Sequence, residues 1–468
     1  LAFTSLSFMI FAPIFFLAYS VFSTQNRKLL IGAGSLFFYS YWNIYYLPLL
    51  LISAYIDYYC SLKIHLEPST KRRRIWLISA LSLNLGILFF FKYWNFFSEN
   101  VHAVSGFDLM LVDVILPLGI SFYTLQTLSY TFDTYRGKLT PERNFWTYLL
   151  YVSFFPQLVA GPIERASSLL PQLKNLPNPS LDDIRLGTLL IAWGFFAKLV
   201  IADNLGGFVW SSYHDTEGGL LLWPISFFAA AQVYCDFFGY TLMARGLARY
   251  MGIKLSMNFR QPFFAKNLTS FWQRWHISLT KWVMDYIHLP LAKRFPQEPF
   301  RSALAILAMC LIGLWHGASW NFVLFGLLNG IIMRIWFPIA GVFKNLTVPS
   351  YLSNVVSRVC LIFAIALVSV FFFIRDSEIL FRQFGSMFSL NPGFNILSQA
   401  GYKEDFAIGV VFLAVFLMND ALVTRGAKIH LEEVYRYPIL RKFVLVTILV
   451  FVAMFGNFQS EGFIYFEF

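Results

Sequence analysis

The sequence predicts an all-α, polytopic integral membrane protein. Three observations carry this. Only 13 % of its 468 residues are charged and 58 % are hydrophobic, against roughly 25 % and 45–50 % in an average soluble domain. Apolar runs of membrane-span length recur along the whole chain. Between them lie short basic segments, the usual mark of cytoplasmic loops. So little charge cannot coat a soluble protein of this length. The roughly three soluble domains that the length would allow therefore give way to one transmembrane domain, 1–468. Disorder, collagen-like repeats and a nucleic-acid-binding domain are excluded as descriptions of the whole chain.

A crossing needs about 20 mostly apolar residues. The predicted spans are 3–22, 29–43, 46–62, 75–97, 114–133, 187–210, 221–243, 302–321, 322–340, 356–374, 406–420 and 441–457, giving about 11–12 transmembrane helices. The run 29–62 is too long for one ordinary span, and Trp42-Asn43 offers the turn that splits it. The first segment has neither a basic leader nor a small-residue cleavage site and reads as a span, not a signal peptide. Aromatic residues reach 19 %, which suits rings placed at lipid interfaces. The cysteines Cys60, Cys235, Cys310 and Cys360 sit in or beside apolar runs without paired spacing. They read as small buried hydrophobes.

The net charge of +11 would suggest nucleic acid in a soluble protein. Here its distribution sets the orientation instead. With the N-terminus outside, 31 of the 36 basic residues fall on the cytoplasmic side, including Lys71-Arg72-Arg73-Arg74 and ten residues within 244–301. Arg375, Arg382 and Lys403 fall outside, and Lys92 and Lys198 lie within spans. The positive-inside rule selects this arrangement, and an even number of crossings returns the C-terminus to the outside.

Two inside segments are too apolar for water and too interrupted for lipid: 146–162, FWTYLLYVSFFPQLVAG, and 259–292, which contains FWQRWHISLTKWVMDYIHLPL. Non-helical backbone survives at membrane depth only where protein or a water-filled cavity surrounds it. Both are expected as re-entrant or interfacial elements.

Ionisable groups at membrane depth suggest function. His316 lies in GLWHGASW (313–320) between Gly313 and Gly317. A neutral imidazole there could accept a proton; a core histidine bonded across helices is the plainer alternative. His276 lies in WQRWHISL (272–279) near Arg274. Its alternative is an amphipathic interfacial helix with Trp272, Trp275 and Trp282 as lipid anchors. Asp236, in YCDFFGYTLMARGLARYMG (234–252), could orient a histidine or form a structural ion pair. No H-x-x-x-H pair or Cys cluster suggests a metal. No phosphate loop or G-x-S-x-G elbow appears.

Together these segments carry a resemblance. ISFYTLQTLSYTFDTYRGK (120–138), FFPQLVAGPIER (154–165), YCDFFGYTLMARGLARYMG (234–252), NFRQPFFAKNLTSFWQRWHISLTKWVMDYIHLPL (258–291) and GLWHGASWNFVLFG (313–326) occur in one order. So composed, the chain resembles the membrane-bound O-acyltransferases, in particular the bacterial branch containing the membrane subunit of alginate O-acetylation. The ending GFIYFEF (462–468) resembles that branch's aromatic C-terminus. Phe238 and Leu242 in FFGYTLMA, and PLAKRF (290–295), depart from its usual residues.

The resemblance implies re-entrant helices around a central acyl-transfer tunnel. It divides the domain into N-terminal spans (1–140), a catalytic core (141–330) and C-terminal spans with a partner-docking tail (331–468). It implies His316 as general base and His276 as the residue that positions the donor or steadies the oxyanion. Trp315, Gly317 and Trp275 would shape the tunnel, and Arg274 and Asp236 would lie on its substrate-binding side. The donor would be acetyl-CoA, with no tightly bound cofactor and no metal. The acceptor would be a hydroxyl of a cell-envelope polysaccharide, reached through a periplasmic SGNH-type acetyltransferase. The setting is the lipid of a bacterial inner membrane, with both termini periplasmic. Two alternatives stand beside this. One is D-alanyl transfer to teichoic acid from a carrier protein; the other is a polysaccharide or lipid-linked-sugar transporter.

The charge partition yields a test. In intact cells a membrane-impermeant thiol reagent should label Leu390→Cys and leave Arg72→Cys unlabelled; the opposite pattern inverts the topology.

Overall fold

The computed structural model describes residues 2–214, 218–345, 350–399, 401–426, 431–458 and 462–464. Every regular element among them is helical. Each predicted span overlaps a helix, although 114–119 is not helical, 302–321 runs through the break after His316, and the helices differ in character. Ile44–Leu66, Thr70–Ser105, Leu181–His214, Leu352–Phe373, Lys403–Thr424 and Pro438–Phe455 are each long and apolar enough to cross a membrane. Leu6–Val21, Phe300–His316 and Trp320–Trp336 are apolar but shorter. The other three are Thr24–Trp42, Ile120–Tyr135 and Leu222–Tyr250. Their polar side chains explain the difference: Ser35, Gln126, Thr131 and Asp236 are all buried in protein.

The chain forms two compact units: residues 1–188 with 243–256, and residues 189–242 with 257–468. In the first unit, helix Leu6–Val21 exposes Leu6, Ile10, Ile14, Leu17 and Val21 while burying Phe8, Phe15 and Tyr19. Apolar residues on both faces, at helical spacing, fit lipid outside and protein inside. That helix and the next are separated by a break at Phe22-Ser23, and Ser23 caps the second by accepting from the Asn26 N–H. The predicted turn at Trp42-Asn43 is present: the helix ends at Trp42, and the Asn43 side chain accepts from the Tyr45 N–H.

Helices Leu47–Leu66, Thr70–Leu88 and Ile120–Tyr135 pack on one another around a buried polar cluster. Asp57 accepts from Thr131 Oγ1 and Asn84 Nδ2, both at 2.7 Å. Ser53 donates to Asn84 Oδ1 at 2.6 Å. In an apolar medium an unmade hydrogen bond is costly, so each of these spans specifies its neighbours.

The segment FFPQLVAGPIER folds inside this unit as short helical turns and extended backbone, with residues 154–164 buried. Gln157 Nε2 donates to the Tyr151 carbonyl at 3.1 Å, and Tyr151 Oη donates to the Glu164 carbonyl at 3.0 Å. The Glu164 carboxylate in turn accepts from the Ser256 N–H and from Ser256 Oγ. Burial pushes the Glu164 pKa up to about 7 against those bonds. The cysteine reading needs correcting. Cys60 and Cys235 are buried, but Cys310 is only half-buried and Cys360 is exposed. Cys360 lies on the helix that also exposes Val355, Val359 and Phe363, so its thiol shares an apolar surface.

The cluster makes a stability prediction. Asp57→Leu removes the acceptor of both Thr131 and Asn84 and should cost about 1–3 kcal/mol for each donor left without one. Asp57→Asn keeps one acceptor oxygen and should lose less. Thermal unfolding of detergent-purified variants checks the order wild type, Asn, Leu.

Candidate active site

The second unit brings two chain breaks together. Helix Phe300–His316 ends at His316, Gly317 is extended, and Trp320–Asn345 turns back against it. His316 was expected within a span; it instead closes a helix, where the chain must reverse. Two glycines allow that reversal. A Cβ on Gly313 would lie 2.0 Å from the Phe322 carbonyl oxygen, and one on Gly317 would lie 2.1 Å from the Phe322 ring. Real side chains cannot approach so closely.

The second break is at His276 itself. Its φ of 41° is left-handed, between the short helices Leu268–Trp272 and Ile277–Val283. A non-glycine residue held in that conformation is strained unless its surroundings over-determine it. Those surroundings are visible. The Ile277 N–H donates to the Asn258 carbonyl at 2.8 Å. Ser278 Oγ donates to Asn258 Oδ1 at 2.6 Å. The Arg260 N–H donates to the Arg274 carbonyl at 2.9 Å. A strip of backbone at 258–260 thus holds the chain on both sides of His276. Asn258 is fully buried. The sequence reading did not single it out, and its place in NFRQPFF next to the histidine segment was the available signal.

These breaks put His276 and His316 within 6.4 Å, ring centre to ring centre. Both are buried. Trp315 stands 5.5 Å from His276 and 5.1 Å from His316. Phe237 meets His276 edge-on at 4.7 Å, and Phe372 meets His316 at 5.2 Å. Burial pushes the His276 pKa down to about 3, so its ring is neutral at working pH. Trp275 stacks on Phe271 at 5.2 Å and lines, with His316, Trp272, Phe325 and Phe372, an apolar cavity of ≈ 40 Å³. That is room for roughly three water-sized groups. Trp272, Trp275 and Trp282 are all buried, so the interfacial helix with tryptophan lipid anchors is set aside.

Arg274 is half-buried, and burial first, then the Arg260 charge, lowers its pKa. Two guanidiniums held close favour an anion beside them. Asp236 forms a buried ion pair with Lys198 at 2.8 Å; Lys198 also binds Asp203 at 2.7 Å. The same pair holds the C-terminal segment. Lys198 Nζ donates to the Gly462 carbonyl at 2.6 Å, and the Ile464 N–H donates to Asp236 Oδ2 at 2.8 Å. Phe463 is buried, stacked 4.8 Å from Tyr240 and 5.6 Å from Phe237. Up to Ile464 the tail packs within its own unit; residues 465–468 of GFIYFEF lie outside the described residues. The structure therefore groups His276, His316, Trp315, Gly317 and Trp275, leaves Arg274 at the edge of the group, and gives Asp236 to a separate charged cluster.

Residues 141–374 match the membrane-bound O-acyltransferase family. The chain is 36 % identical over 365 residues to a peptidoglycan O-acetyltransferase of Helicobacter pylori, covering 71 % of this chain and 69 % of that protein. It is 34 % identical over 336 residues to a probable alginate O-acetylase of Pseudomonas putida, covering 70 % and 68 %. It is 27 % identical over 262 residues to a teichoic acid D-alanyltransferase of Bacillus subtilis, covering 53 % and 65 %.

The glycine contacts are testable. Gly313→Ala must displace a backbone carbonyl and should cost about 1–3 kcal/mol, the usual penalty of overpacking. Gly86→Ala, with no neighbour within 4 Å of its new methyl, is the control and should be neutral or slightly stabilising. Thermal unfolding of the two variants in parallel gives the comparison.

Proposed function

This chain belongs to the membrane-bound O-acyltransferase family and is an acyltransferase of the membrane; from that premise we propose that it moves acetyl groups from cytoplasmic acetyl-CoA toward hydroxyls of a cell-envelope polysaccharide. Family membership removes the transporter alternative. The observation that carries the proposal is the His276–His316 pair at 6.4 Å beside a small apolar cavity. In the proposed reaction the acceptor oxygen attacks the thioester carbonyl while His316 takes the hydroxyl proton. His276, a neutral ring, donates its N–H to the developing oxyanion. Collapse breaks the carbon–sulfur bond, and the proton held by His316 leaves with the coenzyme thiolate. Atoms and charge balance without a metal or a bound cofactor.

Trp315, Trp275 and Gly317 would shape the acyl path. Arg274 with Arg260 would meet the phosphates of the donor. The acceptor reading rests on the relatives, which are named for peptidoglycan and alginate O-acetylation. We place the enzyme in a bacterial inner membrane with both termini periplasmic, and take an SGNH-type periplasmic acetyltransferase as its partner. A carrier-borne D-alanyl donor is the rival within the same chemistry; an enzyme inert to acetyl-CoA and active with that donor would favour it.

His316→Ala and His316→Asn should both lower acetyl transfer by at least about 10²-fold, the low end of general acid–base catalysis, or roughly 2.7 kcal/mol. Asn preserves a hydrogen bond but takes no proton at neutral pH, so it separates chemistry from packing. His276→Ala should also slow turnover, with part of its effect on donor KM. The assay is transfer by purified variants in nanodiscs, with unfolding temperatures alongside. A His316→Asn enzyme within about tenfold of wild type removes the base role.

A further inference from the structure

Two cavities of opposite character lie in the second unit. The first is the ≈ 40 Å³ apolar cavity lined by His316. The second is a chamber of ≈ 570 Å³ whose lining includes Lys198, Asp203, Asp236, Gln232, Arg375 and Tyr402. Among the described residues, Phe373 is the one that lines both. It is the last residue of helix Ser350–Phe373, followed directly by Ile374 and the chamber residue Arg375. Its ring is half-buried, with Phe372 at 5.8 Å and Tyr213 at 6.1 Å. Phe372, its neighbour in sequence, packs on His316.

The chamber is built to hold something polar. The buried Gln232 Oε1 accepts no hydrogen bond from the described residues, so an acceptor is left over in its wall. Tyr402 keeps a left-handed backbone at φ 62°, and its ring lies so close to Gly207 that a Cβ there would be 2.6 Å away. Strain of that kind persists where surrounding contacts fix a functional wall. The apolar cavity has the opposite requirement. An activated thioester beside a base is hydrolysed by any water that reaches it, and exclusion of water is what suppresses such side reactions.

We propose that Phe373 is the gate between the polar chamber and the His316 cavity. In place, its ring keeps chamber water from the acyl group; displaced, it admits one hydroxyl of the acceptor. This rests on the acyltransfer reading for its chemistry but on the two cavities for its geometry. Without the gate, water takes the place of the acceptor. Its oxygen bonds to the acetyl carbon, the carbon–sulfur bond breaks, and one water proton passes by way of His316 to the thiolate; the products are the free thiol and acetic acid, which loses the other proton to solvent as acetate.

The test has two arms. Ser369 lines the apolar cavity and is buried. In a background with the exposed Cys360 replaced by Ser, Ser369→Cys should react with a charged methanethiosulfonate reagent at least about tenfold faster when Phe373 is Ala than when it is Phe. Phe373→Leu, which keeps an apolar plug, should restore slow labelling. Equal rates for all three overturn the gate whatever the donor proves to be. In the second arm, Phe373→Ala should raise acetyl-CoA hydrolysis without acceptor by about tenfold, with the KM for acetyl-CoA unchanged. A tight, coupled Phe373→Ala enzyme also overturns the proposal. Slow labelling by wild type with no acetyl-CoA turnover at all would instead count against the acetyl donor alone. Should Phe373→Ala not fold, Phe373→Val carries the same comparisons.

Discussion

Everything at the candidate site depends on non-helical backbone buried in protein. A chain that leaves the helical path away from water must find its hydrogen-bond partners within the protein. Two breaks meet that condition here. At His276 the partners come from Asn258 and Arg260, whose main chain and amide oxygen take up the polar groups on either side of the histidine. After His316 the reversal is made by close packing, because Gly313 and Gly317 let the returning helix sit against bare backbone and the Phe322 ring. A straight helix would have pointed either imidazole toward a neighbour fixed by its own turn. The breaks free both rings to face each other.

Much of this was legible in the sequence, because spans follow from apolar length and the histidines stand out against apolar surroundings. The residues around them follow from no local rule. Asn258 is separated from His276 by 17 intervening positions, and only the tertiary return of the chain makes it the anchor of that segment. The tryptophans of WQRWHISLTKW have helical spacing that an interfacial helix would share equally well. The burial of Trp272 and Trp275 is decided by Phe271, Phe259 and Phe325, none of which a periodicity argument can place. The end of the helix at His316 was missed for a related reason. The apolar run continues through it without a proline, and the reversal is written in glycine contacts that depend on what lies opposite.

The charged cluster shows the same limit from another side. Asp236 and Lys198 were both visible as ionisable residues inside apolar runs, but not as each other's partners. Taking one charge out of water is costly, and a buried pair is favourable only when its remaining lone pairs and protons are also satisfied. Lys198 meets that requirement with two carboxylates and the Gly462 carbonyl, and Asp236 with the lysine and the Ile464 N–H. The C-terminal segment is therefore part of the cluster's hydrogen bonding and not an appendage to it. An aromatic tail expected to form a docking surface is used, as far as Ile464, to complete a buried ion network.

Phe237 connects that network to the chemistry. One face of its surroundings is the His276 ring and another is Phe463 of the tail. Helix Leu222–Tyr250 thus carries, on adjacent residues, the carboxylate that binds the tail and the aromatic ring that bounds the histidine. A shift of the tail would press on a ring in contact with His276, whereas loss of the ion network would free that helix face. The polar network and the histidines are thus joined through the ring contacts of Phe463, Phe237 and His276, although they have opposite chemistry. The first holds its charges by pairing them out of water, the cavity beside the second is lined by apolar rings, and Phe237 touches the tail of the one and a histidine of the other.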